Sequence, residues 1–305
     1  RQGHGELGGQ QRPKSDDRGN AQLIASRAAF LVKCLSVALL QTAGAAGAAA
    51  GAPENDHAAF IGLYRDRFPG MPLESYVDGA LMLSADAKSQ FDSIMEFPPF
   101  QGDLDKGRTL WEAPFKNGKT FADCFPNGGR NVAGNYPYYD SDRDRVITFE
   151  MDINRCLRTN GEAEYGYNDK STMGMVTAHA RSLSDGMRVN VRVEGPGALA
   201  KYEQGKKLYF TRMGQYNFAC ASCHMSNAGR ILRTEILSPA VGQTVHWPVF
   251  RAGDNLNTLH MRYRRCMEQM RAVPFKAGSE ELNNLEYFHS YLSNGLPMRA
   301  SVYRK

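Results

Sequence analysis

A mainly α-helical chain built as two tandem units is the fold class predicted for these 305 residues. Three observations predict it. Apolar residues recur at helical spacing in several segments bounded by capping residues, prolines and glycines. Short strings repeat in the same order in the two halves. The second half also carries Cys220, Cys223 and His224 as C-x-x-C-H, inside the stretch Phe218 to Met225. Two thiols spaced for thioether bonds, followed by an imidazole that can bind iron from one side, form the attachment signature of a c-type haem. A redox disulfide or half a zinc site stays open on the motif alone. A zinc site needs two more ligands at similar spacing, and neither a second C-x-x-C nor an H-x-x-x-H occurs. The units are therefore expected to be cytochrome c-like.

Residues 1–52 read as an N-terminal extension followed by a signal peptide. The first twenty or so are polar and Gly-rich. Arg27 then precedes a short apolar run, Cys34 to Leu40, that passes into Ala/Gly-rich sequence, the order of charged region, apolar region and small residues for cleavage. Lys33 separates that run from the apolar residues Ala28 to Val32, and the stretch that follows is Ala and Gly, so stable membrane insertion is not expected. Export would carry the chain to the periplasm, leaving Cys34 behind. The composition, 42% hydrophobic and 23% charged with a net charge of +5, suits a globular protein, and no Lys/Arg run interleaved with aromatics points to nucleic acid. Thirty glycines and fourteen prolines predict many loops.

Residues 53–80 are expected to hold a short helix and loops. Ser84 caps a helix that places Phe91, Ile94 and Met95 on one face and stops at Pro98-Pro99. Residues 147–153 alternate enough to predict a strand or an extended segment before Cys156. Helices are predicted from about Thr172 to Ser184, from about Gly197 up to the C-x-x-C-H motif, and from Glu280 to Ser293. The last has Leu282, Leu285, Phe288 and Leu292 as its apolar face and Gly295 beyond its end.

The internal repeat aligns Gly107-x-x-Leu110-Trp111 with Gly205-x-x-Leu208-Tyr209, at an offset of 98 residues. Cys124 falls against Cys223 at 99, Arg155-Cys156 against Arg265-Cys266 at 110, and Leu183-Ser184-Asp185-Gly186 against Leu292-Ser293-Asn294-Gly295 at 109. The anchors stay in order, with one insertion of about ten residues in the second copy. Two domains follow, 53–188 and 189–305. The first has Phe121 and Phe125 where haem attachment would need the first cysteine and the histidine, so it is expected to hold no haem.

Cys124 and Cys156 are then left together in the haemless unit. A disulfide between them is the simplest reading, two separate buried thiols the alternative. Cys266 remains unpaired. Arg262, Arg264, Arg265 and Arg271 surround it with cations, which favour thiolate, and in a helix Arg262 would share its face. It lies 42 residues after His224, an interval that suits the opposite axial ligand of a small c-type unit. Electron-transfer cytochromes use methionine there, and Met261, Met267 and Met270 are equally placed on local sequence. His246 and His260 are lesser candidates, and a solvated basic helix face is the bland alternative.

Cys220-Ala-Ser-Cys223-His224, Tyr263-Arg264-Arg265-Cys266 some forty residues later, and Phe121-Ala122-Asp123-Cys124-Phe125-Pro126-Asn127-Gly128-Gly129 in the first unit together resemble the SoxA family, the catalytic cytochrome subunits of SoxAX complexes of sulfur oxidation. The resemblance spans residues 60–305 or so and is to the monohaem form. It implies one covalent haem c held by Cys220 and Cys223, with His224 and Cys266 as axial ligands of the iron. It further implies a catalytic persulfide at Cys266, substrate contact by Arg262, and a heterodimer with the cytochrome SoxX. The implied activity is that of an L-cysteine S-thiosulfotransferase, which joins thiosulfate oxidatively to a cysteine of the carrier SoxYZ and passes electrons through haem to SoxX. The competing expectation is a plain periplasmic electron-transfer cytochrome with His/Met ligation. Arg264 and Arg265 are expected to be solvated or to face a partner.

Overall fold

A computed structural model describes residues 52–253 and 255–304, so the expected signal segment lies outside the described residues. Helix α1 (Pro53–Arg67) is longer than the short helix expected there. Proline opens it, Glu54 and Asp56 lie in its first turn and Arg65 and Arg67 in its last, all favourable to the helix dipole. A 3₁₀ segment (Leu73–Leu83) leads to α2 (Ala85–Glu96), which begins as expected: the Ser84 hydroxyl accepts a hydrogen bond from the Ala87 amide at 3.2 Å. Phe91 is buried on its inner side.

Helix α3 (Gln101–Glu112) is followed by the cysteine loop and then by the antiparallel hairpin β1 (Tyr138–Asp140) and β2 (Arg145–Ile147). The strand or extended segment expected over 147–153 is not there. Ile147 ends β2, the Thr148 hydroxyl accepts from the Met151 amide, and α4 (Phe149–Thr159) begins at once. Its buried residues Phe149, Asp152, Ile153, Cys156 and Leu157 follow the helical rather than the alternating period. A single π-turn (Lys170–Gly174) enters α5 (Met175–Ser182), close to the expected span.

Helix α6 (Gly195–Phe210) stops eight residues short of Ala219 instead of running into the motif. Residues 211–218 turn back on themselves, with Met213 and Phe218 exchanging backbone hydrogen bonds. The hairpin β3 (Ile231–Leu232) and β4 (Glu235–Ile236) falls in the stretch where the second copy is longer and has no counterpart in the first. A second hairpin, β5 (Val249–Arg251) and β6 (Asn255–Asn257), precedes α7 (Leu259–Gln269), whose cap is again a threonine: Thr258 accepts from the Met261 amide at 3.3 Å. Helix α8 (Glu280–Tyr291) closes the second half, and β7 (Val302–Tyr303) adds to β5 in parallel. Its four expected apolar residues are buried, but so is every residue from Leu282 to Tyr291, because neighbours cover the helix all round.

The order helix, cysteine loop, hairpin, Thr-capped helix, closing helix thus occurs twice. In each copy the first and last helices cross at a glycine. A Cβ on Gly107 would lie 2.2 Å from the Met175 carbonyl oxygen, and one on Gly205 would lie 1.9 Å from that of Asn284. The repeated glycines therefore mark places where α3 meets α5 and α6 meets α8 backbone to backbone. Trp111 and Tyr209, one turn later, are buried beside these crossings. Among the described residues no helix is long and apolar enough to cross a membrane.

Candidate haem and thiol site

The C-x-x-C-H stretch forms a short helical turn held by local bonds. The Ala219 amide donates to Ser222 Oγ at 3.0 Å and the Asn227 side chain donates to the Ser222 carbonyl at 2.7 Å. His224 is half-buried, and its Nδ1–H donates to the Ser238 carbonyl at 3.0 Å, with the Gln243 side-chain amide 2.7 Å from the same nitrogen. Burial, and secondarily the charge of Arg262, lowers its pKa to about 4. A neutral imidazole whose Nδ1 is tied to a carbonyl presents Nε2 as a metal ligand. Burial pushes the Cys220 thiol up to about 12 and raises that of Cys223, in both cases aided by the nearby Cys266.

The backbone of the motif is tied from outside. The hydroxyl of Tyr64, a fully buried side chain on α1, donates to the His224 carbonyl at 2.6 Å and accepts from the Ala240 amide at 2.9 Å. The Arg67 guanidinium donates to the Met225 carbonyl. Sequence reasoning singled out neither residue. A bond spanning 160 positions leaves no local signal.

Cys266 lies on α7 one turn after Arg262, as a helical reading of that stretch required. It is a free thiol, half-buried, and its charge reaches Cys220, Cys223 and Tyr263. Tyr263 and Met267 turn into the core. The Tyr263 hydroxyl lies 2.8 Å from His289 Nδ1, and His289 Nε2 lies 3.2 Å from the Ala240 carbonyl; donation from Tyr263 to His289 and from His289 to Ala240 satisfies both. Residues Ser238 to Ala240 therefore anchor the His224 imidazole and, through His289, the helix that bears Cys266.

Of the methionines, Met267 and Met270 are buried and Met261 lines an outer cavity. His260 is not free for iron: it meets Glu286 at 3.1 Å and accepts from the Gly278 amide through Nδ1. His246 is buried, its pKa driven well down by desolvation. The outer cavity, about 570 Å³, is walled by Arg262, Arg264 and Arg265 of α7, by Arg251 of β5 and by Lys170. Arg265 is exposed and pairs with Glu268 at 3.3 Å, while Arg264 is half-buried. Arg251 and Lys170 were not among the residues singled out, because only the tertiary fold brings them beside α7.

In the first half Cys124 and Cys156 form a disulfide, 5.8 Å between Cα atoms, joining the cysteine loop to α4. Phe121 and Phe125 are buried against Trp111, each with its ring centroid 5.4 Å from the indole.

Two thiols, a neutral imidazole with Nε2 uncommitted and a third thiol whose charge acts on the first two suit a c-type haem held by two thioethers and two axial residues. These features define a cytochrome c domain. The SoxA/TsdA cytochrome c domain model matches the chain twice, over residues 106–189 and 204–298, and the chain belongs to that family. It is 44% identical over 251 residues to the L-cysteine S-thiosulfotransferase subunit SoxA of Chlorobaculum tepidum, covering 82% of this chain and 87% of the relative. To the SoxA of Allochromatium vinosum it is 41% identical over 259 residues, covering 84% and 92%. A crystal structure of SoxXA from P. pantotrophus matches with a TM-score of 0.62 at 31% identity, over 68% of this chain and 79% of that one.

Proposed function

We propose that this chain carries out the L-cysteine S-thiosulfotransferase reaction for which its relatives are named, with Cys266 as the sulfur-handling group, in persulfide form, and Arg262 as the partner of the anion. A carrier cysteine thiol, on SoxYZ, and thiosulfate are joined by a new S–S bond. The thiol proton and two electrons leave, and the product is a cysteine S-thiosulfonate. Bound haem c supplies one-electron acceptance and a route to SoxX, the second cytochrome of the heterodimer. Cys220 and Cys223 would hold it covalently, and His224 and Cys266 would face its iron. Arg262, one turn from the reacting sulfur, supplies a charge-assisted contact to the dianion.

The carrying observation is the placement of free Cys266 one helical turn after Arg262 and within charge reach of the C-x-x-C-H thiols. One haem per chain is supported by the first half, where Phe121, Phe125 and a disulfide occupy the matching loop. The two matched segments and the doubled element order support cytochrome c-like domains at 53–188 and 189–305. Periplasmic location is supported by the order of residues 1–52 and by a disulfide, which needs an oxidising compartment.

Conjugation of thiosulfate to the carrier by Cys266→Met, measured beside its oxidised haem spectrum, tests the reading. Expected are intact haem attachment, a raised reduction potential and lost conjugation. Full conjugation by the variant would return the protein to the plain electron carriers.

A further inference from the structure

The cavity walled by Arg262 contains a second guanidinium, that of Arg251, and the internal repeat shows what is distinctive about it. Arg251 is the last residue of β5, at the end of the hairpin that precedes α7. The matching last residue of β1 in the first half is Asp140, and the residue matching Arg262, four positions before the cysteine of α4, is Asp152. Both arginines thus replace carboxylates found in the sister unit. The cysteine one turn after Arg262 is free, whereas its sister, Cys156, is locked in a disulfide.

Arg251 is half-buried and lines the same cavity as Arg262, from a different element. Its pKa is lowered, first by desolvation and next by the charge of Arg262, while Glu235, Cys266 and Tyr303 act in the opposite sense. Two like charges are thus held near one another at the edge of water, an arrangement that a bound anion would relieve. Asn255 and Asn257 of β6 supply further polar groups to the wall, and the Lys170 ammonium donates to the Asn255 side chain. The first half of the chain therefore contributes a side chain that steadies the hairpin bearing Arg251.

We infer that Arg251 is a substrate-binding residue that clamps the sulfonate end of thiosulfate together with Arg262, leaving the outer sulfur directed at Cys266. The inference rests on the proposed thiosulfate chemistry and adds the residue that sets its selectivity for a dianion. Guanidinium forks from two directions match the several oxygens of a sulfonate, which a single arginine cannot enclose.

The test uses the haem-loaded chain with its partner cytochrome. Thiosulfate binding is measured by calorimetry without the carrier, and KM and kcat with it, for the wild type, Arg262→Ala, Arg251→Ala, Arg251→Lys and Arg251→Asp. Arg251→Ala should raise the dissociation constant and KM about ten- to a hundredfold with little change in kcat and an unchanged haem spectrum. Arg251→Lys, which keeps the stem and charge, should recover part of the loss. Arg251→Asp, which restores the sister unit's carboxylate, should abolish binding. Weak binding in Arg262→Ala beside wild-type binding in Arg251→Ala and Arg251→Lys overturns this inference alone. Failure of the wild type to bind thiosulfate overturns it together with the proposed function.

Discussion

Tyr64→Phe separates the bracing of the haem motif from its packing. The ring is fully buried among Phe60, Phe68 and Tyr76, and phenylalanine keeps that contact while removing one oxygen. That oxygen makes two hydrogen bonds, to the His224 carbonyl and from the Ala240 amide. Losing the bond to the carbonyl costs about 1 kcal/mol net and leaving the buried amide unpaired about 1–3 kcal/mol, so the fold should lose about 2–4 kcal/mol. Loss of stability alone does not distinguish bracing from ordinary structure. The control is Tyr291→Phe, which frees the other end of α1 by removing the bond to Glu54 at 2.9 Å without touching the motif. In denaturant titrations of the haem-loaded protein both variants should be less stable. Only Tyr64→Phe should alter the reduction potential and the low-spin spectral signature, because only it releases the backbone of His224, the proposed axial ligand. A wild-type potential and spectrum in Tyr64→Phe, or an equal change in Tyr291→Phe, refutes the bracing role.

Other outcomes follow from the same structure. Replacing Cys124 and Cys156 by serine opens a loop whose ends are 32 residues apart, so chemical denaturation should show a loss of about 3.7 kcal/mol in the chain-entropy account, with haem content unchanged. Gly205→Ala must push α6 away from the Asn284 carbonyl and should lower the melting temperature sharply, whereas Gly161→Ala, where the space around a Cβ is open, should cost only the strain of its positive φ. Buried His289 has its pKa lowered to about 3, chiefly by desolvation. The unfolded chain therefore binds one more proton between pH 6.5 and about 3, and stability should fall as pH drops through that window, by about 1.4 kcal/mol per pH unit at most. His289→Gln should flatten that part of the stability profile measured by melting against pH. An unaltered slope would show that other groups set it.

The residues settled by themselves whatever depends on neighbours along the chain. C-x-x-C-H points to its cofactor chemistry because two thiols and an imidazole come from five consecutive positions. Ser84 announces α2 because a cap bonds only three residues ahead, and the helical placement of Arg262 one turn before Cys266 is likewise local geometry. The doubled glycine strings showed that a unit is repeated, although not that each glycine marks a helix crossing. The error at 147–153 was also local. Thr148 and the spacing of Phe149, Asp152, Ile153, Cys156 and Leu157 carried a helix signal that the alternation of the first few residues concealed.

Only the tertiary structure decided which distant groups surround the site. Arg251 comes beside Arg262 because β5 and β6 fold back before α7. Lys170 reaches the same cavity from the first half, and Tyr64 reaches His224 across 160 positions. Such contacts are selected by packing and by the need to pair buried polar groups, whose partners can lie anywhere along the chain, so no window of sequence contains them.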